Sequence, residues 1–80
     1  MIEKGKLYLV TGASGFLGTP LCERILNQGG RVRAFSRNEG NLIKLQQLFP
    51  RIEILTGNVS DKYDVHQALV GVDAVFHLAA

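Results

Sequence analysis

The 80-residue sequence contains a single cysteine, two prolines and no tryptophan. It also lacks any apolar run of about 18 residues, the length that a membrane-spanning helix needs. A lone thiol, Cys22, can form no internal disulfide and cannot build a zinc site by itself. Nothing at the start of the chain resembles a signal peptide. We therefore expect a cytoplasmic chain without a metal site, in which Cys22 is a small buried hydrophobic residue.

The sequence also has no large excess of charge of one sign, because it contains nine Lys and Arg and seven Asp and Glu, which gives a net charge of +2. The basic residues are dispersed, apart from a gathering at Arg31, Arg33 and Arg37. A nucleic-acid-binding surface has a denser basic stripe interleaved with aromatic residues. The pattern therefore argues against nucleic acid and membrane as partners. With 46% apolar residues the chain is globular, and residues 1–80 form part of one domain rather than a complete two-domain enzyme.

Short apolar runs alternate with segments of helical period along the chain. The runs predict strands over residues 7–10, 32–35, 52–55 and 74–78, and the spacing of apolar residues predicts helices over 17–26, 42–49 and 65–70. The alternation predicts an α/β fold with a parallel sheet and helices on both faces. Right-handed crossovers then favour strand order 3-2-1-4, the N-terminal βαβαβαβ half of a Rossmann-type sheet.

A Gly-x-x-Gly-x-x-Gly stretch lies between the first strand and the first helix. The N-terminus of a helix offers unpaired N–H groups and about half a positive charge, so it attracts phosphate. Gly12 permits the tight turn, Gly15 lets the backbone approach a pyrophosphate, and Gly18 lets the helix pack closely. Thr19 stands where an NTP-hydrolysing P-loop has Lys. The stretch therefore predicts a dinucleotide-binding loop rather than a purely structural turn.

The end of the second strand distinguishes between the two nicotinamide dinucleotides. An NAD site usually has Asp or Glu there, which accepts from the ribose 2′-OH. Here the residues are Phe35, Ser36 and Arg37, and a guanidinium can pair with a 2′-phosphate while a hydroxyl donates beside it. Lys44 can add a second positive charge. We therefore predict NADP as the cofactor, with NAD as the alternative. The alternative role for Arg37 is that of a solvated loop cation.

Taken together, these residues make the sequence resemble the extended short-chain dehydrogenase/reductase family, and most closely its NADP-preferring, dihydroflavonol reductase-like members. Residues 11–18 are similar to the family's cofactor motif, and residues 32–37 resemble the second strand of the NADP-preferring members. Residues 57–61 resemble a Gly-Asp-Val/Leu-x-Asp segment whose acid touches adenine, but Asn58 replaces that acid here. Residues 75–80 resemble the fourth-strand motif that lies along the cofactor.

The glycine loop, the second strand and the resemblance together predict a set of cofactor-binding residues. These are Gly12, Ser14, Gly15, Phe16, Leu17, Gly18, Ser36, Arg37, Lys44, Asn58, Val59, Leu78, Ala79 and Ala80. Asn58 can still accept a hydrogen bond from the adenine amino group, and it can also donate one.

The resemblance implies hydride transfer with a Tyr as acid and base, assisted by a Lys four residues later, in a segment beyond residue 80. No residue of this chain is predicted to be catalytic. Tyr8 lies inside the first strand, Tyr63 is followed four residues later by Gln67 rather than Lys, and His77 is expected to be structural.

Three functions stay open on this sequence. The first is the NADP(H)-binding portion of an oxidoreductase that reduces a small carbonyl substrate. The second is part of a nucleotide-sugar epimerase or dehydratase that uses NAD(P), and the third is a non-catalytic dinucleotide sensor. Because the fourth strand is an apolar sheet edge in this reading, we also expect self-association through it.

Overall fold

The computed structural model describes residues 2–78, in which four strands and three helices alternate. The elements are β1 (Leu7–Thr11), α1 (Gly18–Asn27), β2 (Arg31–Ser36), α2 (Glu39–Leu48), β3 (Glu53–Thr56), α3 (Lys62–Leu69) and β4 (Ala74–His77). The strands form one parallel sheet in the order β3-β2-β1-β4. The predicted α/β Rossmann-type fold and its strand order are confirmed. None of these three helices has the length and apolarity to cross a membrane.

The larger core lies between one face of the sheet and the helices α1 and α2. Val10 of β1 and Val32 of β2 pack with Ile25 of α1 and Leu42 of α2, and all four side chains are buried. Cys22 lies in the same core and is 0% exposed, which confirms its predicted burial. Loss of solvation of the thiolate raises the pKa of Cys22 from 9.0 to about 11.

The opposite face of the sheet carries a smaller core beneath α3. Leu9 of β1 and Phe35 of β2 pack with Ala68 of α3, and all three are buried. Val75 of β4 is 48% exposed, and Leu69 at the end of α3 is 43% exposed. The β4 edge and the end of α3 therefore form an exposed apolar surface.

Two helices begin earlier than the apolar spacing predicts, because polar residues cap their first turns. The side chain of Asn38 accepts a hydrogen bond from the backbone of the first turn of α2, so this helix begins at Glu39. Asp61 caps α3 in the same way, so that helix begins at Lys62. Side-chain acceptors at this position satisfy N–H groups that have no partner within the helix.

Two leucines that the helical spacing assigned to buried faces are in fact exposed. Leu17 is 62% exposed because it precedes the first turn of α1, and Leu48 is 65% exposed at the end of α2. Gly29, just after α1, has φ +86°, the left-handed conformation in which glycine commonly ends a helix.

The guanidinium of Arg33 in β2 is turned toward the C-terminal end of α3. Its Nη1 donates to the carbonyl oxygens of Ala68 and Val70, each at 2.7 Å. Its Nε lies 3.0 Å from Oε2 of Glu53, and the side chain is 12% exposed. Arg33 thus supplies donors to carbonyls at the C-terminal end of α3, which have no partner inside the helix, and it holds that end against the sheet.

Candidate functional site

The carboxyl ends of β1, β2 and β3 meet at one edge of the sheet because the three strands are parallel. A cavity of about 750 Å³ lies at this edge. Its walls come from the turns that follow the three strands, namely Gly12, residues 35–39 and residues 57–60. In open α/β sheets, ligands bind outside the carboxyl ends of the strands, and this volume suits a small organic ligand.

Five of the predicted cofactor-binding residues line this cavity although they are far apart in sequence. They are Gly12, Ser36, Arg37, Asn58 and Val59. Ser14 and Lys44 instead line a neighbouring cavity of about 150 Å³. The hydroxyl of Ser14 lies 3.4 Å from that of Ser36, which joins the two cavities through one hydrogen bond. Lys44 thus lines the neighbouring cavity, whereas Arg37 lines the larger one.

The glycine loop after β1 is a tight turn that only small residues can form. Gly12 has φ +68°, a conformation that favours glycine. A Cβ at Gly18 would overlap the backbone of Ala13, so the start of α1 lies directly against the loop. A Cβ at Gly15 would stand 3.2 Å from the carbonyl oxygen of Gly12.

The start of α1 presents hydrogen-bond donors without partners. The backbone N–H groups of Phe16 and Leu17 donate to no atom of residues 2–78, and Leu17 gives the helix no side-chain cap. The first turn of α1 carries no acidic residue. Free N–H groups at a helix N-terminus favour an anion. Phe16 is 94% exposed and Leu17 is 62% exposed, so the start of α1 lies at the surface.

Hydrogen bonds fix the turn after β3. The N–H of Gly57 donates to the carbonyl of Ser36 at 2.9 Å, which ties the turn to the end of β2. The N–H of Asn58 donates to Oδ2 of Asp64 at 3.0 Å, and Oδ1 of Asn58 accepts from the N–H of Ser60 at 2.8 Å. The Asn58 side chain is therefore held by its own turn at the wall of the cavity.

Five residues of the cavity wall were not predicted to be site residues, namely Phe35, Asn38, Glu39, Gly57 and Ser60. Glu39 lines the cavity together with Arg37, so the wall carries one carboxylate and one guanidinium. The cap at Asn38 is the sequence signal that places Glu39 at the start of α2, beside the end of β2. Gly57 also lines the cavity, and in the sequence it is the first residue of the 57–61 segment that resembles a family motif.

His77, the last residue of β4, and Leu78 after it make their contacts outside the cavity. The N–H of Leu78 donates to the carbonyl of Thr11 at 3.0 Å, and its side chain packs against the larger core rather than lining the cavity. His77 Nδ1 lies 2.6 Å from Oγ1 of Thr11, which supports a structural role for this histidine. Ala79 and Ala80 lie outside the described residues.

Comparison with known proteins agrees with this geometry. Residues 8–80 match the model of the NAD dependent epimerase/dehydratase family. The chain belongs to this family. Its curated relatives include dihydroflavonol 4-reductase from Arabidopsis thaliana, 39% identical over 85 residues that cover 99% of this chain and 22% of the relative. They also include 3-beta-hydroxysteroid dehydrogenase from Mycolicibacterium neoaurum, 38% identical over 72 residues that cover 90% of this chain and 19% of the relative.

Solved structures show the same architecture as this member of the epimerase/dehydratase family. Pen from Bacillus thuringiensis superposes with a TM-score of 0.92 at 35% identity, over 100% of this chain and 26% of that one. A short-chain type dehydrogenase/reductase from Mycobacterium ulcerans superposes with a TM-score of 0.90 at 18% identity, over 100% of this chain and 34% of that one, and supports the fold alone. The chain spans about a fifth of the length of these curated relatives.

Proposed function

We propose that this chain binds NADP(H) as the cofactor-binding part of an oxidoreductase that reduces a small carbonyl substrate. The observation that carries the proposal is the meeting of Arg37 and Ser36 with the Gly12 turn in one cavity at the carboxyl edge of the sheet. Family membership supports a nicotinamide dinucleotide, and the residues of the cavity support the phosphorylated form.

The residues present fit the parts of a dinucleotide. The free N–H groups of Phe16 and Leu17 suit the pyrophosphate, since they start a helix beside a glycine turn. Asn58 and Val59 lie on the wall formed by the turn after β3, where an amide and an apolar side chain suit a planar base with polar edges. The bound cofactor would supply the hydride, and this chain would hold and orient it.

Arg37 is the residue that favours NADP over NAD. Its side chain is exposed and forms no ion pair with residues 2–78, where the recorded salt bridge joins Arg33 to Glu53. Its guanidinium is therefore available for a phosphoryl group, and Arg pairs with phosphate through two parallel N–H donors. Ser36 adds a hydroxyl to the same wall.

The oxidoreductase assignment draws on the relatives, whose names describe a reductase and a dehydrogenase. One observation favours a second candidate, an epimerase or dehydratase that uses NAD. Glu39 lines the cavity from the start of α2, and NAD sites use a carboxylate near the end of the second strand to accept from the ribose 2′-OH. The choice of cofactor therefore separates the two candidates.

Isothermal titration of the chain with NADPH and NADH tests the proposal. Replacing Arg37 with Ala should weaken NADPH by about 1.5–3 kcal/mol and leave NADH nearly unchanged, because only NADPH carries the 2′-phosphate. The matched control is Arg51→Ala, which removes the same charge from an exposed residue. Arg51 precedes β3 and therefore lies at the amino ends of the strands, opposite the cavity. An equal loss of both dinucleotides in Arg37→Ala would overturn the assignment, and a preference for NADH would favour the epimerase or dehydratase.

We further propose that the chain acts in the cytoplasm and self-associates through the edge of β4. The buried, unpaired Cys22 suits a reducing compartment. β4 is an outer strand of the sheet formed by residues 2–78, and Val75 upon it and Leu69 at the end of α3 are 48% and 43% exposed. Unpaired apolar edges pair with other chains. Sedimentation should show dimers whose population falls in Val75→Lys, whereas a monomer at high micromolar concentration would contradict this proposal.

A further inference from the structure

A small apolar cavity lies between the C-terminal ends of α1 and α2, on the face of the sheet that carries the larger core. Its volume is about 180 Å³, and its apolar lining comes from Leu26 of α1 and from residues 48–50. Leu48 in this lining is 65% exposed. Small-molecule sites have volumes of roughly 300–1,000 Å³, so this cavity suits one apolar side chain rather than a cofactor.

A row of cations leads to this cavity along the amino edge of the sheet. The N–H of Arg31 donates to the carbonyl of Lys6 at 2.8 Å, which places these two residues side by side. In the register of β2 with β3, Arg33 stands opposite Glu53. Extended by two residues towards the amino edge, this register brings Arg31 beside Arg51, and Arg51 lines the cavity.

The amino edge carries an excess of positive charge. Its exposed cations are Lys4, Lys6, Arg31 and Arg51. None of them takes part in the salt bridge recorded within residues 2–78, which joins Arg33 to Glu53. The other acidic residues of this edge are Glu3 and Asp73, so two positive charges are left over, equal to the net charge of the whole chain. One Asp73 oxygen is already engaged by the N–H of Leu7 at 2.8 Å. This edge therefore attracts anionic groups.

We propose that the cavity and the basic edge together dock an acidic peptide segment of a partner protein, with one bulky apolar side chain inserted between α1 and α2. A side chain that fills a pocket carries much of the affinity of such a contact, while surrounding charges steer the encounter. A lipid headgroup has no side chain to fill the cavity, so the pairing of the two features favours a peptide. The inference is independent of the proposed function, because the cofactor cavity lies at the carboxyl edge of the sheet.

Fluorescence anisotropy with labelled peptides tests this inference. The probe is a short peptide of Asp and Glu with one central Phe, and its control has Gly in place of the Phe. The native chain should bind the Phe peptide at least about fivefold more tightly than the Gly peptide, because only the first fills the cavity. Both peptides should bind more weakly as the ionic strength rises. NADPH should displace neither, because it is expected at the opposite edge.

Variants with matched controls separate the two features. Leu48→Ser should lower the affinity for the Phe peptide to that for the Gly peptide, whereas Ile43→Ser should leave it unchanged. Ile43 is also exposed on α2 but does not line the cavity, and both residues lie outside the buried core. Arg51→Ala should weaken both peptides by about two- to threefold, whereas Lys62→Ala, at the start of α3, should weaken neither. Glu23→Gln should tighten both slightly, since Glu23 also lines the cavity.

Three results would overturn the inference. The first is equal affinity for the two peptides, or binding of neither. The second is binding of phosphatidylserine vesicles that exceeds binding of the Phe peptide and is unchanged in Leu48→Ser, which would assign the basic edge to a membrane. The third is a dimer of the native chain that dissociates in Leu48→Ser, which would show that a second copy fills the cavity. Each result leaves the titration with NADPH and NADH unaffected.

Discussion

The ring of Phe35 occupies the space in which a side chain at Gly57 would begin. A Cβ at Gly57 would lie 2.6 Å from Cε1 and 2.8 Å from Cζ of Phe35, and 3.1 Å from Cβ of Asp64. Phe35 belongs to β2 and is 1% exposed, so its ring cannot move into solvent without opening the core. This contact sets how closely the turn after β3 approaches β2, and both residues line the cavity.

Replacing Gly57 with Ala should therefore destabilise the fold. The added methyl group must displace a buried ring or the turn itself, at a cost of about 1–3 kcal/mol in the free energy of unfolding, measured by urea denaturation. Gly40→Ala is the control, because this residue lies in α2 and its added Cβ would stand 3.5 Å from Asn38. That change should stabilise by about 0.5–1 kcal/mol. Equal stabilities of the two variants would contradict the role of the contact.

Glu39 should weaken the binding of a phosphorylated ligand because its carboxylate lines the cavity together with Arg37. We expect Glu39→Gln to bind NADPH about two- to fivefold more tightly at low salt, and to lose most of this gain at high ionic strength. NADH should change little. Glu23→Gln, on the exposed side of α1, provides the control, and the measurement is titration at two salt concentrations. A gain that is equal for both dinucleotides would show that the carboxylate does not face the 2′ position.

Arg33 should matter more for stability than its neighbour Arg31. Replacing Arg33 with Met leaves the carbonyls of Ala68 and Val70 without their charged donor, and we expect a loss of about 2–3 kcal/mol. Arg31→Met removes one exposed bond of 3.2 Å to Gly5 and should cost less than about 1 kcal/mol. Hydrogen exchange should show faster exchange in α3 for the Arg33 variant only. Unchanged protection of α3 would mean that packing alone holds the helix.

Cys22 should make stability fall at high pH. Its thiol has a pKa of about 11 in the folded chain against 9.0 as the ordinary value, because burial disfavours the thiolate. The contribution is complete below pH 9 and is lost as the pH rises from 9 to 11, since the unfolded chain releases the proton first. In this window the slope is about 1.4 kcal/mol per pH unit. The difference in unfolding free energy between the native chain and Cys22→Ala should show this slope, and a flat difference would contradict it.

The fold could be predicted because its signals are local. Alternating apolar runs and helical spacing suffice for the element order, and the handedness of parallel crossovers then leaves few strand orders. The errors arose where apolar spacing was the only guide. Leu17 continues the spacing of α1 and is nevertheless exposed, while Asp61 begins α3 through a cap that apolar spacing does not register. Arg33 could not be predicted because its partners on α3 are at least 35 residues away.

The site could be predicted in part for a related reason. Ser36 ends β2, while Gly12 and Asn58 lie just after β1 and β3. The ends of parallel strands meet at one edge whatever their separation in sequence. Lys44 was placed with them by its charge, but it lies on a helix and lines the neighbouring cavity. The orientation of the Asn58 amide depends on one backbone N–H two residues later, and only coordinates show which end of the amide is engaged.

The central position of β1 has a consequence for how the chain acquires its structure. Thr11 and its partner His77 are 66 residues apart, so the earliest strand to be synthesised is among the last to complete its pairing. Such distant contacts slow folding because a long loop must close first. During translation β1 can pair with β2 early, but its other side stays unpaired until β4 emerges, and a chaperone that binds short hydrophobic stretches would act on that side.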